Sequence, residues 1–123
     1  MAPTEPPSGY HTVTPRLVVD DVEAQVEFLR ATFDAVGDVE PGRPAEIRIG
    51  DSLILVSSTV ERDRYTAFLY VYTPDADATY ARAMAAGATA MEEPLDTPYG
   101  DRRAMVRDPF GNVFQIAHRR AEG

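Results

Sequence analysis

The chain has 123 residues, which is enough for one domain with one continuous core. Hydrophobic residues make up 44% of it and charged residues 26%, a balance that excludes a disordered polymer. The formal net charge of −8 argues against binding to nucleic acid or to an anionic membrane, and no apolar run approaches the ~20 residues that span a bilayer.

Cysteine and lysine are both missing, and their absence removes several kinds of chemistry. The chain has no cysteine, which excludes disulfides, thiolate metal ligands and thiol nucleophiles. All of its basic residues are arginine, so a Schiff-base lysine is excluded as well. Residues 1–10 have no basic start and no apolar stretch, so we predict a flexible N-terminal tail, no secretion signal and a cytoplasmic protein.

Alternation and helical spacing predict a strand, an amphipathic helix and a hairpin in the first half of the chain. Asp20 and Glu23 resemble the capping box at a helix start, and Gly50-Asp51 supplies a hairpin turn. The predicted elements are a strand over His11–Val19, a helix from Val22 to about Gly37, and strands over Ala45–Ile49 and Ser52–Ser57.

The second half repeats the same order of elements. Thr73-Pro74 is typical of a helix start, Gly87 of a helix end, and the segment 108–112 (DPFGN) of a turn between two strands. The predicted elements are a strand over Thr66–Thr73, a helix over Asp75–Ala86, a short strand over Thr89–Met91, a loop over Glu92–Gly100, and strands over Arg102–Arg107 and Val113–His118.

The two halves also align residue by residue. An offset of 54 superimposes the two helices, and an offset of 61 superimposes the hairpin glycines Gly50 and Gly111. A period near half the chain length indicates a duplication. We therefore predict an α+β fold of two βαβββ modules, residues 11–58 and 66–118, that form a curved mixed sheet around a pocket with the helices on the convex side. Residues 119–123 are predicted to be a C-terminal tail.

Three segments resemble a known family. They are 18–23 (VVDDVE), 75–78 (DADA) with 85–88 (AAGA), and 108–112 (DPFGN). They resemble the first helix entry, the second helix and the terminal hairpin of the vicinal oxygen chelate superfamily, which comprises glyoxalases, bleomycin-resistance proteins and extradiol dioxygenases. The resemblance covers most of the chain and implies a ligand pocket on the concave side of the sheet. It also implies a homodimer.

The resemblance further identifies the four positions at which metal-using relatives bind an ion. Here these positions hold Thr14, Ile54, Phe68 and Gln115. Isoleucine and phenylalanine have no lone pair to donate, and the other two are weak neutral ligands. The two histidines, His11 and His118, lie an odd number of residues from these faces and are predicted to be solvent-facing strand ends. We therefore expect no metal site and no cofactor.

Strand alternation extends these positions to a predicted pocket. Aromatic side chains with a few polar groups are typical of a small-molecule site, whereas a filled barrel without a cavity is the alternative. Tyr99 is a candidate lid residue, no carboxylate falls on the predicted face, and the arginines of 102–107 are predicted to form a solvated edge. The predicted ligand-binding residues are Thr12, Thr14, Arg16, Ile54, Phe68, Tyr70, Tyr72, Tyr99 and Gln115.

The expected function is that of a metal-independent binding protein of the glyoxalase/bleomycin-resistance type. It would sequester a hydrophobic or aromatic metabolite or antibiotic, with no nucleic-acid or membrane partner. One alternative is a metal-independent enzyme, an isomerase, hydrolase or cyclase, that polarises the carbonyl of a polyketide-like substrate with Arg16, Tyr70 or Gln115. A regulatory or structural domain with a vestigial pocket is the other. The sequence leaves open whether any reaction is catalysed.

Overall fold

A computed structural model describes residues 5–60 and 62–121 of the protein. Residues 1–4 of the predicted N-terminal tail and residues 122–123 of the predicted C-terminal tail lie outside the described residues. The elements in chain order are β1 Arg16–Val19, α1 Val22–Phe33, β2 Ala45–Ile49, β3 Ser52–Ser58, β4 Phe68–Tyr72, α2 Ala76–Ala85, β5 Thr89–Asp96, β6 Asp101–Arg107 and β7 Val113–Arg119.

The strands form two mixed sheets with the same internal plan. The first has the order β1-β3-β2 and the second the order β4-β7-β6-β5. In each, the strand before the helix pairs in parallel with the last strand of its module, which pairs in antiparallel fashion with the strand before it. This arrangement confirms the predicted α+β fold of two related modules.

The first module lacks a full counterpart of β5. That strand is reduced to a single antiparallel bridge between Val36 and Arg48. The segment 37–44 contains two glycines and two prolines, and these residues do not sustain a hydrogen-bonded ladder.

Both helices begin at an aspartate whose side chain caps the first turn, and neither cap is the residue predicted from the sequence, Asp20 or Thr73. Asp21 accepts a hydrogen bond from the Ala24 amide at 3.0 Å, and Asp75 accepts one from the Ala78 amide at 3.1 Å. Helix α1 ends at Phe33, earlier than predicted, because Asp34 adopts a left-handed conformation with φ 55°. In the described part of the chain, no helix has the length and apolar character needed to cross a membrane.

The main core lies on the helix side of the sheets and joins the two modules. The ring of Phe114 on β7 is fully buried, with centroids 6.1 Å from Phe28 and 5.4 Å from Phe33, both on α1. Burying one such ring contributes about 2–3 kcal/mol to folding. The first helix therefore packs on the second sheet as well as on its own.

A buried polar cluster fixes the same junction. Gln25 on α1 donates to Asp108 at 2.9 Å and accepts from the Asn112 amide at 2.9 Å. Asn112 accepts from the Ala67 backbone amide at 2.8 Å, and Asp108 accepts from two backbone amides of its own turn. The 108–112 motif thus holds the first helix, the entry to β4 and its own turn together.

Three local predictions differ from the structure. Strand β1 begins at Arg16 and not at His11, since its ladder with β3 starts at Arg16 and no described strand pairs with residues 11–14. Strand β5 runs through to Asp96, so the predicted loop over Glu92–Gly100 is wrong. Two register shifts interrupt its alternation between Ala90 and Leu95 and accommodate Pro94, so no regular pattern marks the strand.

The third difference concerns His118, which was predicted to face solvent. It is half-buried and accepts a hydrogen bond from the Ala76 amide at 2.8 Å, where it caps α2.

Candidate functional site

The face of the second sheet opposite the helices carries four of the nine predicted site residues. Its register places side chains in three cross-strand rows that span β4, β7 and β6. The rows are Phe68–Val113–Arg107, Tyr70–Gln115–Met105 and Tyr72–Ala117–Arg103. Four predicted ligand-binding residues, Phe68, Tyr70, Tyr72 and Gln115, therefore occupy one continuous surface, which we call the aromatic face.

The edge strand β4 supplies the aromatic half of this face. Phe68 is 66% exposed, Tyr72 58% and Tyr70 38%, which is unusual for three aromatic side chains on one strand. The Tyr70 and Tyr72 rings lie 5.3 Å apart at an interplanar angle of 55°. The strand thus presents a hydrophobic, ring-lined surface to solvent.

Asp101, at the start of β6, holds the two tyrosines in place. Its side chain is fully buried, and it accepts hydrogen bonds from the Tyr70 hydroxyl at 2.6 Å and the Tyr72 hydroxyl at 2.9 Å. The Arg119 guanidinium donates to its other oxygen at 2.8 Å. The prediction that no carboxylate lies on this face is therefore wrong, because β6 begins at Asp101.

These contacts move the pKa values of the partners apart. Hydrogen bonds from Tyr70, Tyr72 and Arg119 hold the pKa of Asp101 below its ordinary value. Burial, together with the bond to Asp101, raises the pKa of Tyr70 far above 10, and the same bond raises that of Tyr72. At neutral pH the carboxylate is charged and both tyrosines are neutral donors.

Tyr99 belongs to the same network and sits in a closed turn. Its hydroxyl accepts from Arg103 at 2.7 Å, and its carbonyl oxygen accepts from Arg119 at 3.2 Å. Thr97 closes the turn through hydrogen bonds to the Asp101 backbone at 2.9 and 3.0 Å. Tyr99 is therefore anchored by two arginines at the margin of the aromatic face.

Arg103 lies within this face and not at the predicted solvated edge. It donates to Glu92 on β5 at 2.7 and 3.1 Å, which places a second carboxylate here. Its neighbour Arg102 points the other way and pairs with Asp77 and Asp96. Alternation along β6 therefore separates the two arginines, which share one motif in the sequence.

The first-half members of the predicted site lie elsewhere. Thr12 is exposed and Thr14 half-buried, and both precede β1, so strand alternation does not place them. Arg16 lies on the first sheet, level with Leu55, and lines a separate cleft. The structure therefore does not join these three residues to the aromatic face.

The predicted orientation of Ile54 is wrong. It is 4% exposed and belongs to the core on the helix side. The prediction equated Gly50 with Gly111, but Gly50 lies in a two-residue turn between Ile49 and Ser52, whereas Gly111 lies in the longer turn 108–112. Because side chains alternate with a period of two, an error of one residue reverses the face. Leu55 is the counterpart of Gln115, as Arg16 pairs with Leu55 and Tyr70 with Gln115.

Ile54 still approaches the aromatic strand from the core side. A cleft of about 280 Å³ separates the β2–β3 hairpin from the free edge of β4. Its lining includes Ile54, Tyr70, Tyr72, Leu69 and Pro15. The cleft shows that the edge of β4 is accessible on both sides of the strand.

The residues at the positions implied for metal ligands do not fit a divalent cation. They are Thr14, Phe68, Gln115 and, after the correction of register, Leu55. This set offers one hydroxyl and one amide and no charged or imidazole ligand. Within residues 5–60 and 62–121, no three His, Cys, Asp or Glu side chains converge as a metal-binding group.

Comparison with known proteins identifies relatives over nearly the whole chain. Mb0911c, an uncharacterized Mycobacterium bovis protein, is 31% identical over an alignment that covers 85% of this chain and 80% of its own length. The anthracycline biosynthesis protein DauV of Streptomyces sp. strain C5 is 30% identical, with 85% of this chain and 40% of DauV covered.

Solved structures share the same architecture. The crystal structure of TioX from Micromonospora sp. ML1 matches with a TM-score of 0.76 and 23% identity, and the match covers 89% of this chain and 98% of TioX. The model of the Glyoxalase/Bleomycin resistance protein/Dioxygenase superfamily matches residues 9–116. The chain therefore belongs to the glyoxalase/bleomycin resistance protein/dioxygenase superfamily.

Proposed function

We propose that this protein binds a flat, hydrophobic or aromatic small molecule on the aromatic face, without a metal ion, and sequesters it. The observation that carries the proposal is the exposure of Phe68, Tyr70 and Tyr72 on one strand beside Gln115. Exposed rings on adjacent positions gain free energy when a planar ligand covers them. Such a ligand would lie along β4 with one edge over β7.

Gln115 gives the face its polar centre. Its side-chain amide is half-buried between Tyr70 and Met105 and takes part in no hydrogen bond with another described residue. A free amide offers both a donor and an acceptor. It therefore suits a ligand edge that carries a carbonyl next to a hydroxyl or N–H group.

The pKa directions at Asp101 favour binding over acid–base catalysis. A general base works best with a pKa near the working pH, whereas that of Asp101 is lowered. A general acid also works best with a pKa near the working pH. The pKa of Tyr70 is raised further away from neutral pH, so its hydroxyl is poorly suited to donate a proton. Both groups are also engaged with each other, at 2.6 Å, and act as a rigid support for the rings.

The relatives support a natural product as the ligand. DauV is described as an anthracycline biosynthesis protein, and anthracyclines are planar and polycyclic with carbonyl and hydroxyl groups on the ring edges. We propose that the ligand of the present chain belongs to the same chemical class, planar polycyclic molecules with polar ring edges. We also propose that the protein works in the cytoplasm as a homodimer, as the resemblance to the family implies.

The test is a thermal-shift screen of aromatic natural products, followed by fluorescence titration with the anthracycline daunorubicin. A ligand present at 100 times its Kd adds about 2.7 kcal/mol of stability. The variant Phe68→Ala removes an exposed ring and should weaken binding about tenfold, since ring contacts contribute about 1–1.5 kcal/mol. The matched control is Met84→Ala, an exposed apolar residue on α2, which should bind like the wild type.

Two results would contradict the proposal. One is a screen in which no planar ligand raises the melting temperature, and the other is equal affinity of wild type and Phe68→Ala. Mass analysis of the recovered ligand separates sequestration from the enzyme alternative. We expect the ligand unchanged, whereas a converted product would identify a metal-independent enzyme. Metal analysis of the purified protein should find less than ~0.1 equivalent of divalent ion per chain.

A further inference from the structure

The first sheet carries a cationic side chain that forms no ion pair with the part of the chain that the structure describes. Cross-strand register places Arg16, Leu55 and Glu46 side by side on the face opposite the helices. Glu46 is the nearest cross-strand carboxylate, but it accepts hydrogen bonds from the Tyr10 hydroxyl and, at 3.3 Å, from Arg43. Arg16 itself is half-buried and forms no ion pair with any residue in the described ranges.

This absence is informative in an acidic chain. The protein has 20 acidic residues against 12 basic ones, and eight of those arginines form ion pairs within the described residues. A half-buried guanidinium has lost part of its hydration, so an anionic partner would be favourable there. The fold supplies none from the described chain.

Arg16 lines a cleft of about 460 Å³. Its walls come from the 39–44 segment and from the end of β3, and they include Val39, Pro44 and Val60. Glu40 also borders the cleft, but Arg43 lies 3.5 Å from its carboxylate and offsets that charge. The cleft thus combines apolar walls with the half-buried Arg16 and the exposed Arg62, neither of which forms an ion pair with a described residue.

Ser57 adds a second unsatisfied group to the same cleft. It is 7% exposed, and its Oγ has no hydrogen-bond partner among the described residues. The register aligns Val18 with Ser57, so Arg16 and Ser57 share one face of the sheet. Buried hydroxyl groups normally find a partner, and a ligand oxygen held by Arg16 would provide one.

We propose that this cleft is a second ligand site, in which Arg16 binds the carboxylate of a small monocarboxylate with an apolar body. The guanidinium pairs with the carboxylate through two parallel hydrogen bonds, and the apolar walls cover the rest of the molecule. The inference goes beyond the proposed function, because the cleft shares no residue with the aromatic face. It makes the protein a two-site binder with one neutral aromatic site and one anion site.

The experiment uses benzoate as the probe and benzamide as its uncharged isostere, both measured by calorimetric titration of the full chain. We expect benzoate to bind in a saturable manner and benzamide at least tenfold more weakly. Arg16→Gln should reduce the benzoate affinity at least tenfold, and Arg16→Lys should lie between the two. Phe68→Ala should leave benzoate binding unchanged, so a failure of this site is distinct from a failure of the aromatic one.

Equal binding of benzoate and benzamide to the wild type would overturn the proposal, and so would the absence of benzoate binding. The same holds if a folded Arg16→Gln variant binds benzoate as the wild type does. Circular dichroism checks that the variant is folded. If it is not, Ser57→Ala provides an independent test with an expected loss of about threefold, and an unchanged affinity there would contradict the role of the hydroxyl.

Discussion

The two sheets share one plan and differ in what their open faces carry. On the helix side both are apolar, with Leu17 and Val56 in the first sheet and Phe114 and Ile116 in the second. On the open side the central row reads Arg16–Leu55–Glu46 in the first and Tyr70–Gln115–Met105 in the second. The side that forms the core retains the repeat, whereas the exposed side has diverged.

The open faces also differ because β2 and β6 differ in length. Strand β6 has seven residues and begins at Asp101, whereas β2 has five and begins at Ala45, the counterpart of Ala104. The residues before Ala45 are Gly42, Arg43 and Pro44, which form a loop. The first sheet therefore has no equivalent of the carboxylate that holds Tyr70 and Tyr72. The three residues by which β6 extends beyond the counterpart of Ala45 distinguish the rigid aromatic face from the open cleft.

The largest expected effect tests whether the two halves fold as one unit. Gln25→Leu keeps the side-chain volume but leaves Asp108 and Asn112 without their partner on α1. We expect a loss of about 3 kcal/mol in the free energy of unfolding, measured with urea. The control is Glu27→Gln on the exposed side of α1, which should change stability by less than about 0.5 kcal/mol. A small effect of Gln25→Leu would mean that the halves are held by apolar packing alone.

The next prediction concerns the edge of the first sheet, where the counterpart of β5 is only the bridge between Val36 and Arg48. A Cβ on Gly37 would lie 2.3 Å from the Glu46 carbonyl oxygen, so Gly37→Ala should cost about 2–3 kcal/mol. Gly42 also has a positive φ, but a Cβ there would meet nothing within 4 Å. Gly42→Ala should therefore cost about 1 kcal/mol, and equal losses in the two variants would exclude a role for the close contact.

A third prediction uses the pH dependence of stability to test the role of the Asp101 carboxylate in the second sheet. Because the pKa of Asp101 is lowered in the folded state, its contribution to stability is complete above the unfolded value of about 4. It is lost as the pH falls through the lower, folded value. Melting temperatures between pH 6 and 2 should therefore fall less steeply in Asp101→Asn than in the wild type. The exposed Asp63→Asn is the control, and parallel curves for all three proteins would contradict the assignment.

The smallest effect concerns the turn beside the aromatic face. Tyr99→Phe removes the hydroxyl that accepts from Arg103, but Arg103 keeps its two bonds to Glu92. We expect a loss of about 0.5 kcal/mol in urea unfolding and an unchanged affinity for an aromatic ligand. A clear loss of affinity would instead assign Tyr99 to the ligand contact itself.

Much of the fold was predictable, because its signals are local. Each helix is capped within its own first turn, although the caps are Asp21 and Asp75, one and two residues after the predicted Asp20 and Thr73. Gly50 and Gly87 mark a hairpin and a helix end, as predicted. Alternation over β4 and β7 assigned the faces of Phe68 and Gln115 to one side. The same rule failed on Ile54, because the two hairpin turns differ in length. It failed on β5 too, since bulges erase the period of two.

The sequence by itself determined the duplicated architecture, the helix starts to within two residues and the aromatic strand, since each depends on neighbours a few residues apart. Only the tertiary structure decided which charges are neutralised. Asp101 is buried because Tyr70 and Tyr72, about 30 residues before it, donate to it across the sheet. Arg16 forms no ion pair within the described residues, where Tyr10 and Arg43 engage Glu46. Such pairings join side chains that are distant in the chain, and the free energy of a charge depends on those neighbours and not on its position in the sequence.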